Sequence, residues 1–403
     1  MTQTYAEMLV FIENEPVVST HAHQDFSLDG ENYNLDVLFA NSYVKWCHVP
    51  WDDSLGGRQN FLDKVRYNSY FTWLEKALRA IYRLEEPLLG SDWGQVSEML
   101  RSAHLQPGYW ESLLTRLCRY QRIIEDAYWD PGSNNGRPEL FSATFRVNSF
   151  FFGYRPEVRD HDGNNALQLY RAGQPVEDLD EYVAFLKEHI LHQKEQGCVA
   201  LKLPIAYDRG LDFVEVTHAA ARSAYQHLRE LREEAGEVKA FQDYLLYQVC
   251  KIAAEVDLPL QIHTGMGKIQ RSQAIWLEEA IRKNPDTRFV LLHCGLPWTD
   301  DILALVRYFP NVYPDLSHAP MFSSFATRKL ISELIEAGAE SKICWGCDTW
   351  TPEESYGSLL ALRDVLAGAL ADKIDQGYLS QADARLIARH ILRENALKLY
   401  RLG

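Results

Sequence analysis

The 403-residue sequence lacks the features that define several classes of protein. Its seven cysteines are an odd number and lie far apart, so they do not form the paired pattern of a disulfide framework. No apolar run approaches the ~18 residues needed to cross a membrane, and the first residues do not resemble a signal peptide. These absences predict a cytoplasmic protein that does not enter a membrane.

The sequence also lacks an excess of basic residues. Asp and Glu number 56 against 41 Lys and Arg, which gives a formal net charge of -15. Because nucleic acids bind basic surfaces, this charge argues against a nucleic-acid partner, although it permits a small basic pocket. Neither G-x-G-x-x-G nor G-x-x-x-x-G-K-[ST] is present, which disfavours a nucleotide-binding sheet. The predicted partner is therefore a small-molecule substrate.

One cysteine pair, Cys344 and Cys347, has the spacing of a redox or zinc-binding motif. It lies in an apolar, strand-like run rather than at the start of a helix. Residues i and i+3 of a strand point to opposite faces, so these two thiols would not converge. We expect two independent buried thiols.

Short apolar runs alternate with helix-length segments along most of the chain, which is typical of βα units and a parallel sheet. Eight such runs are present, at residues 17–23, 121–127, 141–147, 199–203, 258–263, 289–293, 312–316 and 343–347. Eight repeats at this length predict an α/β fold, a single (β/α)8 TIM-type barrel over residues 1–403. The alternative is a doubly wound open sheet.

Residues 26–120 contain no convincing strand and show helical spacing of apolar residues at 70–81, 94–103 and 109–120. We interpret them as a mostly helical insertion after strand 1. Its many aromatic residues would either cover the mouth of a site or form the core of the insertion itself. An aromatic surface there could also serve as the interface of a homo-oligomer.

Polar side chains collect at the carboxyl ends of the predicted strands, where parallel barrels carry their chemistry. His21 and His23 are separated by one small residue, so in a strand their side chains point to the same face. His263, His293 and Asp348 end later runs. A single histidine in such a place is more often a hydrogen-bonded core residue. Four histidines with one aspartate instead form a nitrogen and oxygen donor set that suits zinc or another borderline divalent metal.

Around these residues the chain resembles the amidohydrolase superfamily of metal-dependent barrels. The similarity is carried by the histidine pair at 21 and 23, by residues 201–211, 259–265, 291–297 and 311–317, by 346–348, and by 395–400. It is nearest to the amidohydrolase-related group of lactonases and decarboxylases, and nearer still to amidohydrolase domains fused to a glutamine-synthetase-like domain. Ser19 departs from that group, where an acidic residue commonly precedes the histidine pair. The helical insertion and Arg146 resemble, more distantly, the uronate isomerases.

The resemblance implies one divalent ion, Zn2+ by preference with Mn2+ or Fe2+ as alternatives, held by His21, His23, His263 and Asp348. Such an ion activates a water molecule at neutral pH. Asp348 would also accept the proton of that water and pass it to the leaving group. His293 would polarise the substrate carbonyl, although by resemblance it could instead be a ligand.

Three basic residues could recognise a substrate carboxylate: Lys202, Arg146 and Arg209. Lys202 could instead be a carbamylated ligand between two metals or be paired with an acid, and Arg209 could form a surface salt bridge. The predicted function is a metal-dependent hydrolase that uses activated water on an amide, lactone or related C–N or C–O bond of a small carboxylate-bearing substrate. The alternatives are a uronate isomerase-like aldose–ketose isomerase, a metal-dependent decarboxylase, and a metal-binding module without turnover.

Overall fold

The computed structural model describes residues 2–232 and 234–402. Its sheet contains seven parallel strands, and each strand pairs with the next one along the chain. The strands are β1 Val17–Ala22, β2 Tyr120–Glu125, β3 Phe141–Arg146, β4 Ala200–Leu203, β5 Leu260–His263, β6 Phe289–Leu292 and β7 Val312–Asp315. Most of their residues are buried, so both faces of the sheet are covered, and this explains the continuous apolar runs in the sequence.

An eighth segment, residues 343–349, closes the barrel between β7 and β1. Cys344 N–H donates to Pro314 O in β7 at 2.9 Å, and Thr20 N–H in β1 donates to Trp345 O at 3.0 Å. The predicted (β/α)8 barrel is thereby confirmed. The predicted strand at 343–347 is less regular than expected, because Cys344 makes the isolated bridge to β7 and the rest of the segment is held by single backbone hydrogen bonds.

Gly346 allows this eighth segment to approach β1 closely. A Cβ atom at this position would lie 2.4 Å from the backbone nitrogen of His21 and 2.7 Å from the hydroxyl of Ser317. Any larger residue would push the segment outwards. Glycine therefore sets the distance between the strand that carries His21 and the segment that carries Asp348.

The helices lie around the sheet and in the long connection between β1 and β2. They are α1 Gln3–Asn14, α2 Leu35–Ala40, α3 Leu55–Val65, α4 Ser69–Tyr82, α5 Trp93–His104, α6 Tyr109–Ser112, α7 Ala166–Arg171, α8 Leu179–Glu195, α9 His218–Arg229, α10 Glu237–Glu255, α11 Glu278–Lys283, α12 Thr299–Tyr308, α13 Ala319–Phe322, α14 Ser324–Glu336, α15 Pro352–Asp375, α16 Gln381–Arg389 and α17 Asn395–Tyr400. The helical stretch predicted at 109–120 contains a π-helical turn at Leu113–Leu117, and a second π-helical turn, His390–Glu394, lies between α16 and α17. No helix within the described ranges is long and apolar enough to cross a membrane.

The helices between β1 and β2 pack against α15, which begins just after the eighth segment. A Cβ atom on Gly357 of α15 would lie 2.9 Å from the carbonyl oxygen of Trp73 in α4, so the two helices touch backbone to backbone. Trp93 and Trp110 fill the interior of this helical region and are fully buried. Large aromatic side chains thus form its core, as one of the two sequence interpretations proposed.

A buried charged cluster around Glu353 joins the same helical region to the start of α15. The Glu353 carboxylate accepts hydrogen bonds from Tyr33 Oη at 2.9 Å and Tyr82 Oη at 2.7 Å, and it lies 2.9 Å from His104 Nε2. Burial alone would lower the pKa of His104, but its contacts with Glu353 and Asp29 outweigh this and raise it. Burial likewise opposes ionisation of Glu353, yet His104 and the tyrosines hold its pKa below the ordinary value. The cluster is therefore an ion pair whose hydrogen bonds are satisfied.

The cysteines are free thiols, and Cys344 and Cys347 are both fully buried. Cys347 Sγ accepts a hydrogen bond from Ser19 Oγ at 3.4 Å, whereas Cys344 packs with Val18 and Val290 in a small core cluster. The two thiols lie in different surroundings, as the strand geometry predicts.

Candidate metal-dependent active site

A cavity of about 280 Å3 opens at the carboxyl ends of the strands. Seven of the eight residues predicted from the sequence line it; Arg209 does not. The lining side chains are those of His21, His23, Tyr43, Trp46, Asp126, Tyr128, Arg146, His161, Asp162, Lys202, Pro204, Tyr207, His263, Met266, His293, His318, Asp348 and Trp350. Strand-end residues that are far apart in sequence are thus brought to one place.

His21 in β1 and His23 just after it face Asp348, which lies in the neighbouring eighth segment. Their Nε2 atoms lie 3.4 Å and 3.3 Å from Asp348 Oδ1. Nδ1 of His23 lies 2.6 Å from the carbonyl oxygen of Asp126, which can only accept, so His23 carries its proton on Nδ1. Its Nε2 then presents a lone pair to the carboxylate. Two facing acceptors repel one another unless a cation lies between them.

Asp348 uses its two carboxylate oxygens differently. Oδ1 faces the first histidine pair, whereas Oδ2 accepts a hydrogen bond from Tyr43 Oη at 2.8 Å and lies 3.4 Å from His293 Nδ1. Burial opposes ionisation of Asp348, but the surrounding imidazoles outweigh it and hold the pKa of this carboxyl well below 3.8. Asp348 is therefore a carboxylate at neutral pH.

Replacing Tyr43 with Phe removes this hydrogen bond and leaves the ring in place. A hydrogen bond to a charged group contributes about 1.5–3 kcal/mol, so we expect kcat to fall about 10- to 100-fold. Steady-state kinetics of Tyr43→Phe on the metal-loaded protein, beside the exposed control Tyr308→Phe, measure this. If the two variants have equal kcat values, the hydrogen bond from Tyr43 to Asp348 does not contribute to turnover.

His263 and His293 form a hydrogen-bonded pair in the same cavity. His263 Nδ1 lies 2.9 Å from His293 Nε2, and His293 Nδ1 lies 3.1 Å from the carbonyl oxygen of Ser317. Since that carbonyl only accepts, the consistent arrangement places a proton on Nδ1 of both rings. His263 Nε2, which has no partner among the described residues, then carries a free lone pair. Burial lowers the pKa of His293 to about 3 and that of His263 well below 6.5, so both are neutral.

Three residues that follow strands in this cavity adopt a left-handed backbone. The φ angles of His293, His318 and Asp348 are 63°, 64° and 54°. Residues other than glycine adopt such angles at a cost of about 1–3 kcal/mol, and they persist where the surroundings hold a side chain in a required direction. Other residues of the chain also adopt such angles, but these three are the ones that line the cavity.

Lys202, Asp126 and Arg146 form a charged group beside the histidines. Lys202 Nζ lies 3.0 Å from His21 Nε2 and 3.8 Å from Asp126 Oδ2, and burial lowers the pKa of Lys202 to about 8. Arg146 Nη1 donates to Asp126 Oδ2 at 3.1 Å, and its Nη2 pairs with Asp162 Oδ2 at 2.8 Å. Burial would raise the pKa of Asp126, but Arg146 and Lys202 outweigh it and lower that pKa. The strand-end arginine and lysine are therefore inside the cavity.

Arg209, predicted as a substrate contact, is not among the residues that line this cavity. Its Nη1 pairs with Asp243 Oδ1 at 2.7 Å, and its guanidinium lies 4.2 Å from the Phe213 ring centre. Arg209 follows β4 by six residues, so it has left the strand end and packs between neighbouring connections. The ion-pair interpretation of this residue is the one the structure supports.

Sequence reasoning missed Asp126, Tyr43 and His318. Asp126 directly follows β2, and His318 follows β7 by three residues, so the strand-end rule could have found both. Tyr43 comes from the 3-10 turn Tyr43–Cys47 in the helical region, and no local pattern marks it. Asp315, the last residue of β7, accepts hydrogen bonds from Thr20 Oγ1 and from the backbone N–H of Ser317 and so orients these neighbours.

The side chains fit a divalent cation. The ligand atoms of His21, His23 and Asp126 lie within 4.8 Å of one another, and those of His293, His318 and Asp348 do so as well. Neutral imidazoles and carboxylates are the donors that zinc and related ions prefer. His263 carries an unpartnered lone pair but belongs to neither of these two compact groups.

The closed barrel carries histidines and an aspartate at the carboxyl ends of its strands, which is the arrangement that the sequence resemblance to the amidohydrolase superfamily implies. Residues 226–402 match the amidohydrolase family model. The chain is 30% identical over 226 residues to protein fluG of Emericella nidulans, and the match covers 52% of the chain but 26% of that protein. The chain therefore spans about a quarter of the length of this relative.

Two solved structures share the fold over nearly the whole chain. A glucuronate isomerase from Caulobacter crescentus gives a TM-score of 0.80 at 13% identity and covers 99% of this chain and 94% of its own. A uronate isomerase from Thermotoga maritima gives 0.77 at 16% identity, with 99% and 98% covered. The family-model match and the similarity to protein fluG confirm the resemblance to the amidohydrolase superfamily, whereas the two solved structures show the fold alone.

Proposed function

We propose that this protein is a metal-dependent hydrolase of a small carboxylate-bearing amide, lactone or related compound. The observation that carries the proposal is the convergence of His21, His23 and Asp348 beside Lys202 and Arg146 in one cavity. The match to the amidohydrolase family model supports a hydrolase-like activity of this general kind.

The residues that would hold the ion are His21, His23, His263 and Asp348. A zinc ion or a similar divalent ion in such a place lowers the pKa of water towards neutrality and polarises a carbonyl group. Burial keeps His21 and His263 neutral, because it lowers the pKa of each ring, so their ring nitrogens keep the lone pairs that ligation requires. The charge of the centre then comes from Asp348 alone among these four.

Asp348 is the group that would move the proton. It is ionised, buried and hydrogen-bonded by Tyr43, so its Oδ2 can accept a proton from the attacking water and return it to the leaving group. His293 Nδ1 lies 3.4 Å from that oxygen, and it would give up its hydrogen bond to the Ser317 carbonyl in order to donate to the substrate carbonyl.

Arg146 and Lys202 would bind the carboxylate of the substrate. Arg146 is held by Asp126 and Asp162, yet its Nε has no partner among the described residues. Lys202 adds a second donor at the floor of the cavity. The two acids keep the local charge low, which favours a substrate with one carboxylate over one with several.

A second candidate is an aldose–ketose isomerase of uronate type. It is favoured by the glucuronate isomerase from Caulobacter crescentus, whose fold matches across 99% of this chain and so includes the helical region that supplies Tyr43. Tyr43 and Asp348 together could move a proton between neighbouring carbons of a sugar acid.

The test is a substrate panel on full-length protein that is stripped with a chelator and then reloaded with Zn2+, Mn2+ or Fe2+. We expect hydrolysis of at least one carboxylate-bearing amide or lactone, no turnover after stripping, and weaker turnover of the matching neutral methyl ester. Conversion of glucuronate or galacturonate to the ketose, detected by NMR, would instead establish the isomerase. Release of carbon dioxide would indicate a decarboxylase, and failure of every substrate with loaded protein would overturn catalysis itself.

A further inference from the structure

A second cavity, of about 160 Å3, adjoins the active-site cavity and has no part in the proposed reaction. Trp46, Tyr128 and Trp350 line both cavities, so the two spaces meet at these three rings. We call the smaller cavity the annex; Asp25 and Lys45 form its polar side. None of the three shared rings is fully buried, and Trp46 is 39% exposed, so part of each ring is accessible to a ligand.

The annex lies away from the lysine that would bind the substrate carboxylate. Lys202 Nζ lies 3.0 Å from His21 Nε2, and the rings of His21 and His23 have their centres 4.7 Å apart. On the other side, Trp350 is stacked on His23 with centres 5.4 Å apart and planes 23° apart. A substrate with its carboxylate at Lys202 and its scissile bond at the two histidines therefore extends its other end towards Trp350 and the annex.

The junction between the two cavities is suited to a flat ring. Aromatic rings pair by offset stacking or edge to face, and such pairs contribute more than their buried area alone. Trp46 packs edge to face on Tyr43 with centres 5.1 Å apart, and the carbonyl oxygen of Trp350 accepts a hydrogen bond from Asp25 N–H at 3.1 Å. Both tryptophans are thus held in place before a ligand binds, which lowers the entropic cost of binding.

The far side of the annex is polar. Asp25 accepts a hydrogen bond from the backbone N–H of Ser27 at 3.0 Å through Oδ1. Lys45 lines the same space, and its ammonium group makes no ion pair within the described residues. A few polar groups behind aromatic walls are typical of small-molecule sites, where they fix the orientation of the ligand. The annex therefore suits an aromatic ring that carries a polar substituent.

We propose that the annex binds the leaving group of the substrate and that this group is an aromatic amine or a phenol. The substrate would then be an aryl amide or an aryl ester whose acyl part carries the carboxylate. In its hydrolysis the hydroxyl of water bonds to the carbonyl carbon and the C–N or C–O bond breaks. The leaving nitrogen or oxygen takes the proton that Asp348 received from the water. This assignment rests on the proposed function, because it names the part of the substrate beyond the scissile bond.

The experiment compares two carboxylate-bearing amides, N-phenylsuccinamate and N-cyclohexylsuccinamate, which differ in whether the ring is flat or puckered. Isothermal titration calorimetry gives the Kd of each on full-length protein stripped of metal, where neither is consumed, and kcat/KM is measured on loaded protein. Trp46→Leu is the test variant, and Trp46→Phe restores a flat ring. Trp276→Leu is the matched control, because Trp276 is 43% exposed and lines neither cavity.

We expect the wild type to bind the phenyl compound about 2- to 10-fold more tightly than the cyclohexyl compound, the range that aromatic pairs contribute. Trp46→Leu should lose this preference, whereas Trp46→Phe and Trp276→Leu should keep it. Taking the ratio of the two compounds cancels any general effect of the substitution on Tyr43.

The assignment of the annex is overturned if the wild type binds neither compound, binds both equally or prefers the cyclohexyl ring, or if Trp46→Leu keeps the phenyl preference. The proposed function fails separately. If the loaded wild type shows the binding preference but hydrolyses neither compound, the aromatic site stands without its hydrolytic role. If it hydrolyses both compounds without preference, the annex assignment alone is wrong.

Discussion

Replacing Asp348 with Asn should lower kcat about 10³-fold, within the range that general acid–base groups contribute. The asparagine would keep the shape of the side chain and could still accept the hydrogen bond of Tyr43. It would lose the charge that two facing histidines and a bound cation require, and it could not take up a proton. The measurement is kcat on protein with a known metal content.

Asp300→Asn is the control for this variant, because it makes the same chemical change on an exposed side chain of α12. Measuring the metal content separates the contribution of Asp348 to metal binding from its contribution to proton transfer. A variant that retains the ion but loses turnover indicates that Asp348 transfers the proton. Unchanged turnover in the Asp348 variant would show that the reaction takes place elsewhere.

Replacing Glu353 with Ala should lower the free energy of unfolding by about 3–5 kcal/mol, the usual effect of removing one partner of a buried ion pair. The change leaves the buried His104 and the hydroxyls of Tyr33 and Tyr82 without their shared acceptor. Chemical denaturation followed by tryptophan fluorescence is an appropriate measurement, because Trp93 and Trp110 lie in the same region.

Glu353→Gln is the matched variant, since an amide can keep part of the hydrogen bonding while losing the charge. We expect its loss to be smaller than that of the alanine variant. If the glutamine variant is as unstable as the alanine variant, the loss of unfolding free energy comes from the loss of charge. If both variants have the denaturation midpoint of the wild type, the cluster does not stabilise the fold.

The barrel is predictable from the sequence because its strands are buried on both faces. That burial makes most of the strands short, largely apolar runs, and polar residues at their carboxyl ends fall at the catalytic end of the barrel. His21, His263 and His293 are found in this way. Helix lengths are predicted well where one face is apolar, but the π-helical turn at Leu113–Leu117 depends on tertiary packing and leaves no periodic trace.

The other features of the site depend on contacts between residues that are far apart in the sequence, and no local sequence pattern predicts such contacts. Tyr43 reaches Asp348 across 305 positions of sequence, from a short 3-10 turn with no distinctive composition. The sequence offers Arg209 either as a carboxylate contact or as half of a salt bridge, and its ion pair with Asp243 depends on a residue 34 positions away. The apolar run at 343–347 predicts a regular strand, although close approach at Gly346 rather than a regular ladder fixes its place.

The ion pair between Glu353 and His104 also limits how this barrel can be redesigned. Glu353 lies five residues after Asp348, at the start of α15, and its partners all come from the connection between β1 and β2. A minimal barrel made by deleting that connection would leave a bare carboxylate in an apolar setting next to the metal centre and would remove Tyr43 as well. The connection is thus a fixed part of the scaffold.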